Sequence, residues 1–301
     1  YTLFDHPSVD RPDHLGPICI GACGSSGTNL FRRLLDSHSQ IACGKELSVF
    51  DRPRLYRMGL DELRAMYLSD DFTALEEGVP FPLGFEDGIS YVGLRPGNYG
   101  DFYHTVPDVM DLFAETNTVA EFLDQFLLRY AKRRGKGVWA EKTPNNIYCA
   151  EQFLDMYPKG RFIQVLRDGR DVCTSLNRRR NFSPSSAVSR WISAVEAGLR
   201  VADHERVYTV RYENLVYEPE ATLKSVLDWL GLPFEPSMLR FTERNETSNH
   251  GYAEQPIHSD SAFRWKQEWP NLRPGPRKFL DLSLRKHLVA TGYEEETLPR
   301  G

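Results

Sequence analysis

The feature that most constrains the fold of this chain is a short apolar segment that passes through a turn of small residues into a helix. Residues 17–22 have the apolar character of a buried strand, and residues 23–27, which include two glycines and two serines, form a tight turn. Apolar side chains then recur on one side of a helix from Thr28 to Leu35. A strand that enters a helix in this way predicts an α/β fold with a parallel sheet.

The rest of the chain repeats this alternation of strands and helices. Apolar segments at residues 137–141, 161–166 and 206–211 predict three further strands. Helices are predicted at residues 46–69 (with a break near Gly59), 118–134, 146–157, 185–202, 218–230 and 274–291. This order predicts a three-layer α/β architecture, with a central parallel sheet flanked by helices. We expect a single domain over residues 1–301, because no repeat or second domain is visible.

Two segments do not follow this pattern. Residues 1–16 are polar, contain two prolines and predict an N-terminal arm on the surface. Residues 77–110 are rich in glycine, proline and aromatic residues and have little periodicity. A long segment of that kind is usually functional or mobile. We therefore interpret it either as a lid or insertion on the acceptor side or as a packed surface excursion.

Composition excludes some classes of protein. With 41% hydrophobic and 26% charged residues the chain is an ordinary globular protein, and its net charge of −5 argues against nucleic-acid binding. No apolar run approaches the ~18 residues that a membrane span requires. The five cysteines are odd in number and lack metal-type spacing, so we expect reduced core thiols and a cytoplasmic protein. The chain starts at Tyr1 rather than Met, which leaves a trimmed leader or anchor open.

The turn after the first strand is a candidate anion-binding site. A Gly/Ser turn at a helix N-terminus presents several backbone N–H groups to one point, and Ser26 and Thr28 add hydroxyl donors. The lysine of a nucleotide-triphosphate P-loop is absent, because Thr28 occupies its place. An ATP-dependent phosphotransferase is therefore disfavoured, since it needs that lysine together with magnesium.

A second candidate site follows the predicted strand at residues 161–166. Arg167 comes directly after the strand, Ser175 lies eight residues further along the predicted helix, and Arg179 is four residues beyond Ser175. Eight residues span a little over two helical turns, so these side chains can share one side. An arginine and a hydroxyl that converge on one point suit a phosphate monoester dianion.

Four motifs in this order resemble the sulfotransferases that use 3′-phosphoadenosine 5′-phosphosulfate (PAPS). They are GSSGTNL at residues 24–30, LRDGR at 166–170 with Ser175, RYENL at 211–215 and FRWK at 263–266. CGKE at 43–46 and EKTP at 141–144 resemble the tyrosylprotein sulfotransferase branch and its bacterial relatives. The resemblance covers about residues 17–270. It implies a P-loop-like fold, transfer of a sulfuryl group to an acceptor hydroxyl, adenosine 3′,5′-bisphosphate (PAP) as product, and no metal ion.

The resemblance also implies which residues bind the donor. The loop that would hold the 5′-phosphosulfate consists of Gly24, Ser25, Ser26, Gly27, Thr28 and Asn29. The 3′-phosphate would be bound by Arg167, Ser175 and Arg179. Tyr212 would lie near the adenosine, and Arg264, which precedes a tryptophan, would also serve the donor.

The transfer step itself needs a base and a cation. The acceptor hydroxyl loses its proton as the sulfur–oxygen bond forms, so a carboxylate or an imidazole must lie within reach. The resemblance puts Glu46 in that role, at the start of the predicted helix after residue 45, and His250 and His258 are the alternatives. The leaving phosphate oxygen gains negative charge, so a cation or hydrogen-bond donors should point at it. The resemblance puts Lys142 where the tyrosylprotein branch has a transition-state lysine.

Two positions depart from the family's pattern. Ser25 stands where the family usually has arginine or lysine, so the cation at the leaving oxygen must come from Lys142 or Lys45, and Asn29 stands where threonine or serine is usual. These departures leave open a non-catalytic donor-binding protein, and a small-molecule phosphotransferase is the third alternative. The acceptor stays open among a peptide tyrosine, a sugar, a polyketide and a small phenol. Ser48, where the tyrosine-directed branch has a basic residue, argues against an acidic tyrosine peptide.

Overall fold

A computed structural model describes residues 10–79, 92–96, 98–243, 257 and 259–295 of the chain. Within these residues, five parallel strands form one sheet in the order β2-β3-β1-β4-β5. The strands are β1 (Ile18–Ala22), β2 (Ile41–Cys43), β3 (Val138–Lys142), β4 (Arg161–Leu166) and β5 (Val207–Arg211). The central strand is therefore the one that leads into the Gly/Ser turn.

Helices connect the strands. In chain order they are α1 (Thr28–Asp36), α2 (Leu60–Ser69), α3 (Val106–Glu115), α4 (Val119–Arg133), α5 (Ala150–Met156), α6 (Gly169–Arg180), α7 (Pro184–Val201), α8 (Tyr212–Tyr217), α9 (Pro219–Leu230), α10 (Trp265–Glu268) and α11 (Pro274–Ala290). Short 3₁₀ helices at Pro53–Arg57 and Pro144–Cys149 precede α2 and α5.

Both faces of the sheet are covered by apolar packing. Alternate residues of a strand point to opposite faces. On one face Ile18 and Ile20 of β1 belong to a core shared with Leu34 of α1 and Leu227 of α9. On the other face Cys19 belongs to a core shared with aromatic residues, among them Trp139, Phe153 and Trp191. The predicted three-layer α/β architecture with a parallel sheet is confirmed.

Most predicted elements are confirmed, but one strand was not predicted and one predicted helix is wrong in its extent. The sequence did not indicate β2, because its three residues are too few for a periodic pattern. The helix predicted at 46–69 exists only as α2, after the short 3₁₀ helix. Residues 46–52 are not helical because their backbone is held by other parts of the chain: Leu47 N donates to Glu141, Leu47 O accepts from Gly93, and Ser48 has a left-handed φ of 53°.

The carboxyl ends of all five strands meet at one edge of the sheet. Ile20 of β1 is opposite Lys142, Ala22 is opposite Val165, and Leu166 of β4 is opposite Arg211. The segments that follow β1, β2, β3, β4 and β5 therefore begin side by side. In open α/β sheets this edge is where ligands bind, and every motif singled out in the sequence except that at residues 263–266 lies on one of these segments.

The two segments outside the strand–helix pattern are described in part. Residues 10–16 of the predicted arm pack on the body of the protein, where Leu15 is buried and Arg11 pairs with Asp124 at 2.7 Å. Of the segment 77–110, residues 80–91 and 97 lie outside the described residues, and α3 begins within it. Val92 and Leu94 are buried in the core.

All five cysteines are buried and unpaired, as predicted for core thiols. Burial raises the pKa of Cys23, the first residue of the turn, to about 12. Its thiol therefore stays neutral near pH 7 and is a poor nucleophile. None of the described helices is long and apolar enough to cross a membrane.

Candidate active site

The turn between β1 and α1 has a backbone shaped to bind an anion. Ser25 and Gly27 both have left-handed φ angles, of 68° and 88°, on either side of the buried Ser26. The first turn of α1 contains no acidic residue, and no side chain caps it. Its first N–H groups and the positive end of the helix dipole are therefore available to a negatively charged ligand.

Gly27 is required for the packing of this turn. A Cβ atom at Gly27 would lie 2.1 Å from Cδ2 of Tyr212, so the tyrosine ring rests directly on the turn. Tyr212 is the first residue of α8, after β5, and its hydroxyl shares a hydrogen bond of 2.5 Å with Oγ of Ser261. Tyr212, which the resemblance puts near the adenosine of the donor, thus contacts the anion-binding turn.

Arg167 lies between the turn and the segment around Ser261. Its guanidinium donates to Ser25 O at 2.8 Å and to Ser261 O at 2.5 Å, and it stacks over the ring of Tyr212 at 4.5 Å. The side chain is buried, and Nε has no hydrogen-bond partner among the described residues. An unpaired buried donor costs free energy, so this N–H fits a ligand oxygen.

Asp171 holds the segment that carries Ser261 and Arg264. Its two carboxylate oxygens accept from the backbone N–H groups of Phe263, at 2.6 Å, and of Trp265, at 2.8 Å. Burial raises the pKa of Asp171 to about 6, although Arg167 acts in the opposite direction. The Arg264 side chain donates to Asp260 O at 3.1 Å. Sequence reasoning missed Asp171 and Ser261, and the signal for Asp171 was its place in the same RDGRD run as Arg167.

Ser175 and Arg179 lie further along α6. Ser175 is buried, about 9 Å along the helix axis from Gly169. Arg179 is exposed in the last turn of the helix. Arg167 and Tyr212 therefore each contact both the turn and Ser261. Ser175 and Arg179 lie further along α6.

Lys142 connects the turn to the proposed base. It is the last residue of β3, its side chain is only 1% exposed, and its Nζ donates to Oδ1 of Asn29 at 2.7 Å and to Oε1 of Glu46. Asn29 is the second residue of α1, and the Glu46 side chain is 41% exposed. The structure thus brings a buried cation, a solvent-accessible carboxylate and the anion-binding turn together.

This arrangement corrects one expectation about the site and shows where the two candidate lysines lie. Glu46 does not open a helix, because the residues after it are held in a non-helical segment. Of the two lysines considered as the missing cation, Lys142 contacts the helix of the turn, whereas Lys45 pairs with Asp101 at 2.7 Å.

Asn29, assigned to the donor loop, directs its side chain to Lys142. His250 and His258 lie outside the described residues. Within the residues that the structure covers, no group of three His, Cys, Asp or Glu side chains could hold a metal ion.

The fold and this site define a class of protein: a P-loop-like α/β protein with a turn suited to an anionic group at the carboxyl edge of its sheet, beside a lysine–carboxylate pair. A sulfotransferase family model matches residues 17–236. The chain therefore belongs to the sulfotransferase family of enzymes, as the motifs predicted.

Curated relatives include several protein-tyrosine sulfotransferases. That of Drosophila melanogaster is 25% identical over 236 residues, which cover 75% of this chain and 40% of the fly protein. Protein-tyrosine sulfotransferase A of Caenorhabditis elegans is 20% identical over 268 residues, which cover 82% of this chain and 60% of the worm protein. The chain thus spans 40% to 60% of the length of these two relatives.

Two solved structures share the fold over nearly their whole length. The sulfotransferase domain of the curacin biosynthetic pathway has a TM-score of 0.61 at 18% identity, with 93% of this chain and 98% of that domain covered. The sulfotransferase domain of the Synechococcus PCC 7002 olefin synthase has a TM-score of 0.62 at 20% identity, with 96% and 99% covered. The P-loop-like fold predicted from the motifs is confirmed.

Proposed function

We propose that this chain transfers a sulfuryl group from PAPS to the hydroxyl group of an acceptor, with Glu46 as general base and Lys142 as the cation at the leaving oxygen. The observation that carries the proposal is the position of Lys142, which contacts both Asn29, next to the turn, and Glu46. In-line transfer requires a base at the acceptor oxygen and a cation at the leaving oxygen. In this structure the candidate base and the candidate cation are paired with each other beside the turn.

The residues around the turn fit this donor. The N–H groups of the turn and of the first turn of α1 suit the 5′-phosphosulfate, because no acidic residue competes for them. Arg167, with its unpaired Nε, lies against Tyr212 and the turn and suits a phosphate group of the nucleotide. Ser175 and Arg179 extend this site along α6, and Tyr212 offers a ring to the adenosine.

Lys142 compensates for Ser25, which lacks a positive charge. A lysine ammonium group has three N–H donors. Asn29 and Glu46 accept two of them, so the third is left for the oxygen that bridges sulfur and phosphorus. Because the ammonium is buried, its interaction with a developing negative charge is stronger than it would be in water.

The reaction then proceeds in one displacement. The acceptor oxygen attacks sulfur while its proton passes to the carboxylate of Glu46. The new S–O bond forms as the bond from sulfur to the 5′-phosphate oxygen breaks, and the electron pair of that bond stays on the phosphate of PAP. Lys142 stabilises the charge on the leaving oxygen, and Glu46 later releases its proton to solvent. No covalent enzyme intermediate is needed.

Binding of PAP tests the donor site. PAP at ~100 times its dissociation constant should stabilise the fold by ~2.7 kcal/mol, whether EDTA or magnesium is present. ATP with magnesium is the comparison that represents a phosphotransferase. An unchanged melting temperature with PAP, or stabilisation by ATP and magnesium alone, would contradict the proposal.

Transfer is tested by mass spectrometry of acceptors incubated with PAPS. The panel consists of a tyrosine peptide, a glycoside, 4-nitrophenol and a hydroxylated acyl chain, and a mass increase of one sulfuryl group identifies the acceptor. Lys142→Met should lose most of the transfer activity. A protein that binds PAP but sulfates nothing in the panel would favour the non-catalytic alternative that Ser25 suggested.

A further inference from the structure

A buried polar cluster lies beside the transfer site, on the opposite face of the same strand end. Glu141, Thr143 and Asn146 are 1%, 3% and 1% exposed. Oε1 of Glu141 accepts from Leu47 N at 2.8 Å and from the hydroxyl of Thr143 at 2.6 Å, and Oε2 accepts from Nδ2 of Asn146 at 2.5 Å. This cluster contacts the segment that carries Glu46, and no step of the transfer described above uses it.

The strand geometry explains why the cluster and Lys142 reach the same segment. Successive side chains of an extended strand point to opposite faces, so Glu141 and Thr143 point away from the face that Lys142 occupies. Lys142 contacts the side chain of Glu46. Glu141 accepts from the backbone N–H of Leu47, and Oγ1 of Thr143 accepts from that of Ser48 at 3.3 Å. Residues 141–143 thus hold the Glu46 segment from two sides.

The segment after β2 needs such support because no regular structure holds it. Leu47 and Ser48 are buried, so their N–H groups are shielded from water. A buried N–H without a partner is costly. Leu47 O accepts from Gly93 N at 2.8 Å on the other side. The buried carboxylate is itself costly, and burial raises the pKa of Glu141 to about 7. An apolar residue at position 141 would cost less free energy to bury, but it would not accept these hydrogen bonds.

We propose that Glu141 and Thr143 are positioning residues for sulfuryl transfer: they fix the backbone of residues 46–48, and thereby keep the carboxylate of Glu46 in line with the acceptor. The inference rests on the proposed function, in which Glu46 takes the acceptor's proton. Neither residue touches donor or acceptor. They act on the rate of the chemical step and not on the affinity for PAP, whose proposed binding residues lie on the turn, directly after β4, and on α6 and α8.

The test compares Thr143→Val with Thr143→Ser. Valine has the shape of threonine but lacks the hydroxyl, whereas serine keeps it. Thr291→Val is the matched control, because Thr291 is also buried and its hydroxyl donates only to carbonyl oxygens of α11. Glu141→Ala is the second variant. For each protein we would measure kcat and KM with the fastest acceptor of the panel, the Kd of PAP, and amide hydrogen exchange of peptides covering residues 44–50.

The proposal expects a specific pattern. Thr143→Val should exchange faster at residues 44–50 and lose roughly tenfold in kcat, because one backbone hydrogen bond of the segment is gone. Glu141→Ala should lose ~10²-fold, the effect of misplacing a catalytic group by about 1 Å. The Kd of PAP should be unchanged in both variants, and Thr143→Ser and Thr291→Val should resemble the original protein.

Three results would overturn the proposal: unchanged exchange at residues 44–50 in Thr143→Val, faster exchange with unchanged kcat, or equal losses of kcat and PAP affinity. If Glu141→Ala does not fold, the comparison of Thr143→Val with Thr143→Ser still tests the proposal. Failure of the proposed function would look different from failure of this inference. In that case the original protein itself would sulfate no acceptor in the panel.

Discussion

Gly27 and Gly24 lie three residues apart in the anion-binding turn, but a side chain has different consequences at the two positions. Gly27 has a left-handed φ of 88°, and a Cβ there would meet the Tyr212 ring, whereas a Cβ at Gly24 would meet nothing within 4 Å. A left-handed conformation costs a residue with a Cβ about 1–2 kcal/mol. The two glycines therefore form a matched pair for testing the turn.

We predict that Gly27→Ala weakens PAP binding and lowers the free energy of unfolding by at least ~1–2 kcal/mol. The displaced Tyr212 ring adds to the loss, because it supports Arg167. Gly24→Ala is the control for stability, because its Cβ would meet no protein atom within 4 Å, and it should retain the free energy of unfolding of the original protein. Titration calorimetry with PAP and urea unfolding measure both quantities. Equal behaviour of the two variants would contradict the packing described for the turn.

Glu46 supplies the second prediction at the scale of a single residue. Glu46→Gln keeps the size of the side chain and an oxygen for Lys142, but it cannot take a proton. We expect kcat to fall by ~10²–10⁴-fold, the usual cost of removing a general base, while PAP affinity is retained. Glu62→Gln is the control, because Glu62 is a residue of α2 that pairs with Arg54 of the preceding 3₁₀ helix. If Glu46→Gln is active and a substitution of His250 or His258 is not, that histidine is the base.

At the scale of elements, the site depends on how the segment 259–265 is attached to α6 and to the turn. Arg167 joins Ser25 O to Ser261 O, and Asp171 accepts from the backbone at Phe263 and Trp265. Both residues come from the first residues after β4. The residues that follow one strand therefore hold together two segments that are 236 positions apart in the sequence, at residues 25 and 261.

We predict that Arg167→Ala weakens PAP binding by ~10- to 150-fold, since hydrogen bonds to charged groups contribute about 1.5–3 kcal/mol. Arg206→Ala is the matched control. Arg206 also donates to backbone carbonyls, those of Leu154, Tyr157 and Gly160, but it precedes β5, at the end of the strand opposite to the site. Calorimetry with PAP compares the two variants. Equal affinities would remove Arg167 from the donor site.

At the scale of the whole molecule, two buried carboxyl groups make stability depend on pH. Burial raises the pKa of Glu141 from 4.5 to about 7 and that of Asp171 from 3.8 to about 6. A carboxyl group whose pKa is higher in the folded than in the unfolded state contributes stability that is fully present below the unfolded value and is lost as the pH rises through the folded one. The stability that these two carboxyl groups contribute is therefore lost between about pH 4 and about pH 7.

We predict that the free energy of unfolding contains a contribution from Glu141 that falls as the pH rises from about 4.5 to about 7. Glu141→Gln removes this titration, so the stability of the variant relative to the original protein should increase over that window. Urea unfolding of both proteins between pH 4.5 and 8 measures the difference. A difference that is constant with pH, or that changes in the opposite direction, would contradict the burial described for Glu141.

Local sequence patterns predicted the architecture and identified most of the candidate donor-binding residues. The order of apolar strands and amphipathic helices requires a parallel sheet, because buried strands linked by helices have no other way to cover both faces. The Gly/Ser turn and Arg167 directly follow predicted strands, so their place at the carboxyl edge followed from local patterns. Lys142 and Glu46 were identified through motifs, because neither position has a periodic or compositional signal of its own.

The contacts among the residues of the candidate transfer site could be seen only in the tertiary structure. Residues 46–52 are not helical because Leu47 bonds to Glu141 and Gly93, which are 94 and 46 positions away in the sequence. Long-range contacts also put Lys142, rather than Lys45, beside the turn, because Lys142 bonds to Asn29 and Lys45 pairs with Asp101. A local pattern records the preferences of neighbouring residues. It contains no information on which distant groups will accept a buried N–H, and in this protein those groups determine where Glu46 lies.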